Sequence, residues 1–363
     1  MNNDMRKVLI EKLGEEYFAL SNDNEIPALA QNKPRFITIY VLRETIAPLI
    51  NRSDDPESTV SQIIKGPKYG QKEIVEIPAR KFKSKEKLMG LKLCRAFGLV
   101  DAHYEYNSVS KKEFLDNPNS VIFGDSVVEG GEAGQAMLPS KVFYSSSYSI
   151  RNKETITKKL THNALSESGT MWDRRKTELR SSLFNTEYIC PGSFFPSFIT
   201  LYNPTPESLI HILLCLKERT YGAQTSITGP NVKNNIVAIY SGKSELPITS
   251  FTITNIFGET ILDSLDEGYA ESSKIKNKLN EVVLEAIMKC KPSHVIHGEE
   301  METTLDKIFN SEQSDLESVY QKLKEDTHEL IKFSGILEQQ KKVKGKKPRK
   351  EEAEEPLSEE GEE

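Results

Sequence analysis

The sequence predicts an α+β fold: a ferredoxin-like (RRM-like) core with large insertions, including a β-hairpin, followed by C-terminal helices. Two observations predict it. Apolar segments with strand and helix spacing follow one another in the order strand, helix, paired strands, helix, strand. Long polar and basic segments interrupt this series, and the last part of the chain returns to helical spacing.

The N-terminal elements are predicted from spacing and residue type. Met5 to Leu20 places apolar residues at helical intervals, which favours a short amphipathic helix. Arg35 to Thr45 is rich in β-branched and aromatic residues and predicts a core strand buried on both faces. Lys85 to Leu99 predicts a helix that ends at Gly98. Between them, residues 51–83 are polar and predict a long insertion without packed elements.

The middle of the chain predicts a second large insertion at about residues 120–187. From Ser120 to Ile150 the pattern is strand, glycine-rich turn, strand, which indicates a hairpin. Arg151 to Asn185 is polar and basic with few apolar anchors. Excursions of this length in a compact chain are usually functional or disordered.

The rest of the core is predicted from alternating strand and helix signals. Tyr188 to Tyr202 reads as strand, and Thr205-Pro206 supplies an N-cap and a first-turn proline for a helix to about Thr220. Strands are predicted from Asn235 and over Ser250 to Ile256. Helices are predicted at about residues 266–335, completing a palm domain over residues 1–338.

Charge is unevenly distributed along the 363-residue chain, whose net charge is -6. Lys65 to Arg95 carries +7 and Arg151 to Arg180 carries +4, while Phe251 to Glu338 carries -9. The basic segments suit nucleic-acid phosphate and the acidic one does not. The first segment supplies five predicted RNA contacts: Lys65, Lys68, Lys72, Arg80 and Lys81.

Composition also predicts the setting of the chain. The four cysteines are far apart and no apolar leader follows N-terminal positive charge, which favours a reducing, cytoplasmic location. No apolar run approaches the roughly 20 residues of a membrane helix. The tail, residues 339–363, has seven Lys or Arg followed by eight Glu and is predicted to be disordered.

Several possible catalytic and metal motifs are weak. Ser241 to Ser244 (SGKS) lacks the earlier glycine of a phosphate-binding loop. Cys290, His294 and His297 could supply three zinc ligands, but no fourth stands at a recognised spacing. We therefore predict no metal and no cofactor. Asp125 with Glu129 leaves a metal-dependent endonuclease as the alternative, since paired carboxylates can support phosphodiester cleavage.

The segment from Lys158 to Arg180 (KKLTHNALSESGTMWDRRKTELR) has the composition of a single-stranded nucleic-acid contact. Lys158 and Lys159 can hold phosphates, while Trp172 can stack on a base. Amide and hydroxyl groups of the same segment can reach 2'-OH groups. The alternative is a purely structural role, in which Met171 and Trp172 anchor this segment to the core.

Five stretches resemble one known family. They are FGDSVV at Phe123 to Val128, YSIRN at Tyr148 to Asn152, THNALSESGTMWD at Thr161 to Asp173, PGSFFPSFITLYNPTPESL at Pro191 to Leu209, and YGAQTSITGPNVKNNIV at Tyr221 to Val237. In this order the chain resembles the Csc-two family, the backbone subunits of type I-D CRISPR effector complexes in the Cas-seven superfamily. The resemblance spans about Arg35 to Ile256.

The resemblance implies a guide-RNA-binding backbone subunit. We predict no catalytic residues, and cleavage of single-stranded target through the hairpin carboxylates stays the alternative. The partners of the subunit would be guide RNA, target DNA, further copies of itself, and the large, Cas-five-like and Cas-six-like subunits. The hairpin from Phe123 to Tyr148 would be its thumb. Carried over residue by residue, the implied RNA contacts are Arg43, Arg151, His162, Asn163, Ser166, Gly169, Thr170, Met171, Tyr221 and Gly222. A free monomeric RNA chaperone remains a third hypothesis.

Overall fold

The computed structural model describes residues 5–52, 58–66, 70–127, 136–163, 172–173, 178–179, 183–217, 219–221, 230–260 and 272–338. Its strands are β1 Phe36–Thr45, β2 Ser61–Gly66, β3 Gly70–Ile77, β4 Asp125–Val127, β5 Ala136–Leu138, β6 Val142–Tyr144, β7 Ser147–Asn152, β8 Thr157–Asn163, β9 Trp172–Asp173, β10 Glu178–Leu179, β11 Leu183–Ile189, β12 Phe194–Tyr202, β13 Val232–Gly242 and β14 His294–His297. Its α-helices are α1 Met5–Leu13, α2 Ala79–Ala96, α3 Pro118–Phe123, α4 Lys153–Ile156, α5 Pro206–Cys215, α6 Ser250–Thr260, α7 Ser272–Lys289, α8 Gly298–Phe309 and α9 Gln313–Ser334.

A five-stranded antiparallel sheet lies at the centre, in the order β14, β13, β1, β12, β6. Without the edge strand β14, this is the fourth, first, third and second strand of a βαββαβ series. The helices of that series are α2, after β1, and α5, between β12 and β13. The sheet with its C-terminal helices confirms the predicted α+β class.

The central strand β1 is buried on both faces, as predicted, because its side chains alternate between two layers. Ile37, Ile39 and Val41 belong to a core cluster that includes residues of α1, α5, α8 and α9. Tyr40 and Leu42 pack on the opposite face, in a cluster built largely from α7. Helices therefore cover both faces of the sheet around β1.

The structure corrects the expectation that residues 51–83 lack packed elements. β2 and β3 form a hairpin, and β3 also pairs with β7. Ile74, Val75 and Ile77 of β3 are buried. Three apolar residues among charged neighbours were enough to bury one strand, although the segment as a whole is polar.

The single hairpin predicted from Phe123 to Tyr148 is also wrong. Pro118–Phe123 is helical because the Asn117 side chain accepts the Ser120 N–H and Pro118 occupies the first turn. β4 pairs with β5, whereas β6 joins the central sheet and β7 joins β3. The segment proposed as the thumb is thus divided among three sheets.

A two-stranded antiparallel ribbon, formed by β8 and β11, extends from the other described elements of the insertion. Its register runs from Thr157 opposite Ile189 to Asn163 opposite Leu183. Residues 164–182, which connect the two strands, are described only at β9 and β10. β8 lies within the predicted basic excursion from Arg151 to Asn185, whereas β11 continues beyond it to Ile189.

The C-terminal helices agree with the prediction in kind but differ in number and in one position. Ser250–Thr260 is helical instead of a strand, because the Thr249 hydroxyl caps it by accepting the Thr252 N–H. The predicted helical region at about residues 266–335 contains three described helices, α7, α8 and α9. The charged tail lies outside the described residues.

Candidate nucleic-acid interface

The β8–β11 ribbon carries two of the predicted phosphate contacts. Lys158 and Lys159 are both exposed, and neither ammonium has an ion-pair partner within the part of the chain that the structure describes. Adjacent strand residues point to opposite faces, so the ribbon presents one cation on each face. Leu160, which follows them, is 52% exposed. This ribbon can therefore contact phosphates on either face, and Leu160 adds an apolar contact on the face of Lys158.

The base of the ribbon is fixed to the segment that precedes β2. The buried Glu187 carboxylate accepts the Thr59 N–H at 2.7 Å and the Thr157 hydroxyl at 3.2 Å, and it lies 3.7 Å from the Lys153 ammonium. The Thr186 hydroxyl accepts a hydrogen bond from the Arg52 guanidinium. Because these partners occupy Glu187, the carboxylate opposite Lys159 in the register does not neutralise that lysine.

The first turns of α2 carry a second group of cations. Arg80 is exposed and Lys81 is half-buried, and burial together with the neighbouring Arg80 lowers the pKa of Lys81. Lys83 is turned inward, where its ammonium donates to the Ser140 hydroxyl at 2.8 Å. Lys87 lies 3.4 Å from the Asp125 carboxylate. Arg80 and Lys81, both predicted RNA contacts, are therefore the cations on the outer surface at this end of α2.

Arg151 lies in β7 with a half-buried side chain. Its Nε is buried and has no hydrogen-bond partner among the described residues. The next basic residue, Lys153, forms a 3.1 Å ion pair with Glu73. The structure thus keeps Arg151 as a candidate contact and assigns Lys153 to local structure.

Other predicted contacts are placed only in part. The backbones of Lys65, Lys72, His162, Asn163 and Trp172 lie in strands, and the structure does not describe their side chains. The remaining ones lie outside the described residues: Lys68, Ser166, Gly169, Thr170, Met171 and Gly222.

Arg43 does not lie on any surface. Its side chain is fully buried, and its Nη1 donates to Glu86 at 2.5 Å and to Asn234 at 3.0 Å. The guanidinium carbon lies 3.9 Å from the centre of the Phe82 ring. Tyr221 is also buried and donates its hydroxyl to Glu86 at 2.8 Å.

This buried cluster corrects the assignment of Arg43 and Tyr221 as RNA contacts. A phosphate cannot reach a guanidinium with no exposed surface, and the charge of Arg43 is already balanced by Glu86. Instead, the cluster links β1, α2 and β13 to Tyr221, the last described residue before residue 230. Burial raises the pKa of Tyr221 well above its usual value, so its hydroxyl stays protonated as a donor.

Comparison with known families identifies the family of the chain. A family model described as Csc2 Crispr matches residues 22–347. The chain belongs to the Csc2 CRISPR family. None of the curated proteins compared with it matches. The family assignment confirms the resemblance found in the sequence motifs.

Two solved structures of CRISPR proteins are similar to this chain to different degrees. The crystal structure of Thermofilum pendens Csc2 has 16% identity and a TM-score of 0.60, covering 93% of this chain and 98% of that chain. A chain of a CRISPR RNA-guided surveillance complex has 10% identity and a TM-score of 0.45, covering 79% and 99%. The first similarity shows that this Csc2-family chain has the Csc2 fold.

Sequence reasoning missed the partners of Arg43 in this Csc2-family chain. In the sequence, Glu86 is one of the few acids within the basic segment from Lys65 to Arg95 and does not stand out. A signal was present, because Phe82, Glu86 and Gly90 stand four residues apart and share one side of α2. All three are buried. A carboxylate on the buried side of a helix predicts an opposite charge in the core.

Asp125, the residue on which the endonuclease alternative rests, is occupied by structural contacts. Its carboxylate accepts the Tyr104 hydroxyl at 2.6 Å and the Ser120 hydroxyl at 2.8 Å, and Lys87 lies 3.4 Å away. Its side chain is 6% exposed. The second carboxylate, Glu129, lies outside the described residues. The described contacts make Asp125 an anchor for the β4–β5 hairpin.

The possible zinc ligands are not brought together as a metal site. His294 and His297 stand at the two ends of β14, and His294 lies 3.7 Å from the Glu16 carboxylate. Within the described ranges, no group of three His, Cys, Asp or Glu residues could hold a metal ion. The helices in those ranges also include none that is long and apolar enough to span a bilayer.

Proposed function

We propose that this chain is the guide-RNA-binding backbone subunit of a type I-D CRISPR interference complex. Copies would polymerise along the guide and help to present it to target DNA. The large, Cas-five-like and Cas-six-like subunits would be its other partners. The proposed role is binding, with target sequence read by base pairing and not by the protein.

The observation that supports this proposal most strongly is the exposed β8–β11 ribbon. Lys158 and Lys159 lie on opposite faces of it, and their charges are not neutralised by described residues. Such cations contact the sugar-phosphate backbone of single-stranded RNA without regard to sequence. Family membership in Csc2 supports the same role.

The separation of charge within the fold indicates which surface would face the RNA. Residues 298–338, which contain α8 and α9, hold eleven Asp or Glu against four Lys. Phosphate is repelled from such a surface. We therefore place the guide along the ribbon and the first turns of α2, with α8 and α9 directed away from it.

Charge reversal on the ribbon tests the proposal. The double variant Lys158→Glu/Lys159→Glu should bind a short single-stranded RNA at least about tenfold more weakly, because two charge-assisted contacts are lost. Lys324→Glu/Lys332→Glu on α9 makes the same change in net charge at exposed positions and should bind normally. Fluorescence anisotropy measures both, and circular dichroism checks folding. Equal affinity for both double variants would show that the ribbon does not hold RNA.

A further inference from the structure

Tyr148 and Phe251 form an aromatic pair at the surface. Their ring centroids are 5.2 Å apart with planes at 82°. The Phe251 side chain is 41% exposed and Tyr148 is half-buried. Neither ring belongs to the hydrophobic core clusters of the described residues. The pair is thus accessible from solvent and is not part of the packing that holds the fold together.

Hydrogen bonds between β7 and α6 fix the backbone positions from which the two rings extend. The Tyr148 N–H donates to the Ser250 hydroxyl at 2.9 Å, and the Thr254 hydroxyl donates to the Tyr148 carbonyl at 3.2 Å. Burial and the nearby Glu76 carboxylate raise the pKa of Tyr148, so the phenol is neutral. The aromatic surface is therefore preorganised, which lowers the entropy cost of binding a ligand.

The packing of α6 does not require an aromatic residue at position 251. The helix buries Ile253 and Thr254, both of which are at most 1% exposed. Phe251, in the first turn, is not buried with them and has Tyr148 as its ring contact.

Helix α2, which carries two cations in its first turn, begins next to the chain segment that contains Tyr148. The Ala79 N–H donates to the Ser146 hydroxyl at 3.3 Å, so the start of α2 is joined to the chain two residues before Tyr148. Arg80 and Lys81 follow directly. An aromatic surface next to cations fits a nucleotide, whose base is flat and apolar while its phosphate is negative. An apolar peptide would match the rings but not the cations.

We propose that the Tyr148–Phe251 pair is a stacking site for an unpaired base of single-stranded nucleic acid, with Arg80 and Lys81 facing the adjoining phosphates. The site rests on the proposed function, because it names a base contact on the same nucleic-acid surface. It goes further in predicting that affinity depends on the presence of a base and not on charge alone.

Abasic oligonucleotides test this site directly. Phe251→Ala should weaken binding of a short single-stranded RNA by about five- to a hundredfold, the usual range for one lost stacking contact. It should leave unchanged the affinity for an abasic RNA of equal length, which keeps the phosphates. Phe251→Trp should bind at least as tightly as the wild type. Phe333→Ala on α9 removes another exposed ring, 53% exposed, and should have no effect.

The binding results distinguish base stacking at this site from a contact that depends on phosphate alone. A weaker Phe251→Ala affinity for the intact but not the abasic strand supports stacking. Equal loss on both strands, or loss on neither, overturns it. Matched RNA and DNA oligonucleotides show whether the base belongs to guide or target. If the wild type binds none of these strands, the proposed function itself fails.

Discussion

At the scale of single residues, the buried pair of Arg43 and Glu86 is the most consequential feature. Removing two charges from water is costly, and it is tolerated only where the pair has close partners. Tyr221 and Asn234 supply hydrogen bonds, and Phe82 covers the guanidinium face. The pair therefore holds β1 against α2 instead of serving as a phosphate contact.

Glu86→Gln should destabilise the chain by about 3–5 kcal/mol, because the guanidinium of Arg43 stays buried without a counter-charge. Urea unfolding measures the change. The double variant Arg43→Met/Glu86→Met should recover part of the loss, since no isolated charge remains. RNA affinity per folded molecule should not fall in either variant. A specific loss of RNA binding in Arg43→Met, with normal stability, would restore Arg43 as a phosphate contact.

His211 predicts a pH dependence of stability. Its ring is fully buried and contacts the Tyr320 hydroxyl at 3.0 Å, and burial lowers its pKa to about 3. Because the unfolded histidine has a pKa of about 6.5, the unfolded state takes up the proton first as pH falls. Stability from neutral His211 is thus present above about pH 6.5 and is lost on acidification towards pH 3.

Comparing the pH dependence of stability in the wild type and in His211→Gln separates the contribution of His211 from that of other titrating residues. Between pH 6.5 and pH 5 the wild type should lose up to about 2 kcal/mol more unfolding free energy than the variant. Chemical denaturation at several pH values measures both curves. Parallel curves over this interval would contradict a buried neutral His211.

At the scale of elements, the ribbon depends on contacts near its base. Glu187 joins β11 to Thr59 and Thr157. Glu187→Ala should leave the buried Thr59 N–H without its acceptor, at a cost of about 1–3 kcal/mol. We expect faster amide exchange over β8 and β11 and weaker RNA binding, measured by hydrogen–deuterium exchange and anisotropy. Unchanged exchange in the ribbon would show that Glu187 does not fix it.

Sequence patterns predicted the elements whose signals are local. β1 follows from a dense apolar run, and α5 follows from Thr205, whose hydroxyl forms the predicted cap. α6 was predicted as a strand because its residues are β-branched and aromatic. The cap at Thr249 and the packing of Ile253 outweigh that propensity. The cap is local, but the packing of Ile253 is a tertiary contact that cannot be read from a single segment.

The candidate site was predictable where charge is exposed and unpredictable where it is buried. Lys158 and Lys159 follow from composition, because lysines in a polar excursion remain in solvent. Arg43 has the same charge, yet its role depends on Glu86, which is 43 residues away in the chain. The Tyr148–Phe251 pair joins residues about one hundred positions apart, which no spacing rule would bring together.

At the scale of the whole molecule, the RNA binding proposed for this acidic chain depends on the separation of its charges. The net charge of -6 is a sum over basic elements, the ribbon and α2, and acidic elements, α8 and α9. RNA binding should therefore weaken steeply with salt. For single strands the slope of log affinity against log salt is about -0.7 per phosphate contact.

The ribbon variant Lys158→Glu/Lys159→Glu should show a shallower slope, smaller in magnitude by about 1.4 if each lysine meets one phosphate. Titrations at several salt concentrations give this value. The α9 control, Lys324→Glu/Lys332→Glu, should keep the wild-type slope. An unchanged slope in the ribbon variant would mean that its lysines contact no phosphate.

A map of RNA-crosslinked peptides tests the central claim most directly. Ultraviolet crosslinking of the chain with bound single-stranded RNA, followed by mass spectrometry, should identify peptides from β8, from β7 and from the first turns of α2. Peptides from residues 298–338 should carry no RNA. Crosslinks confined to α8 and α9, with none in the ribbon or α2, would contradict the proposed guide-binding surface.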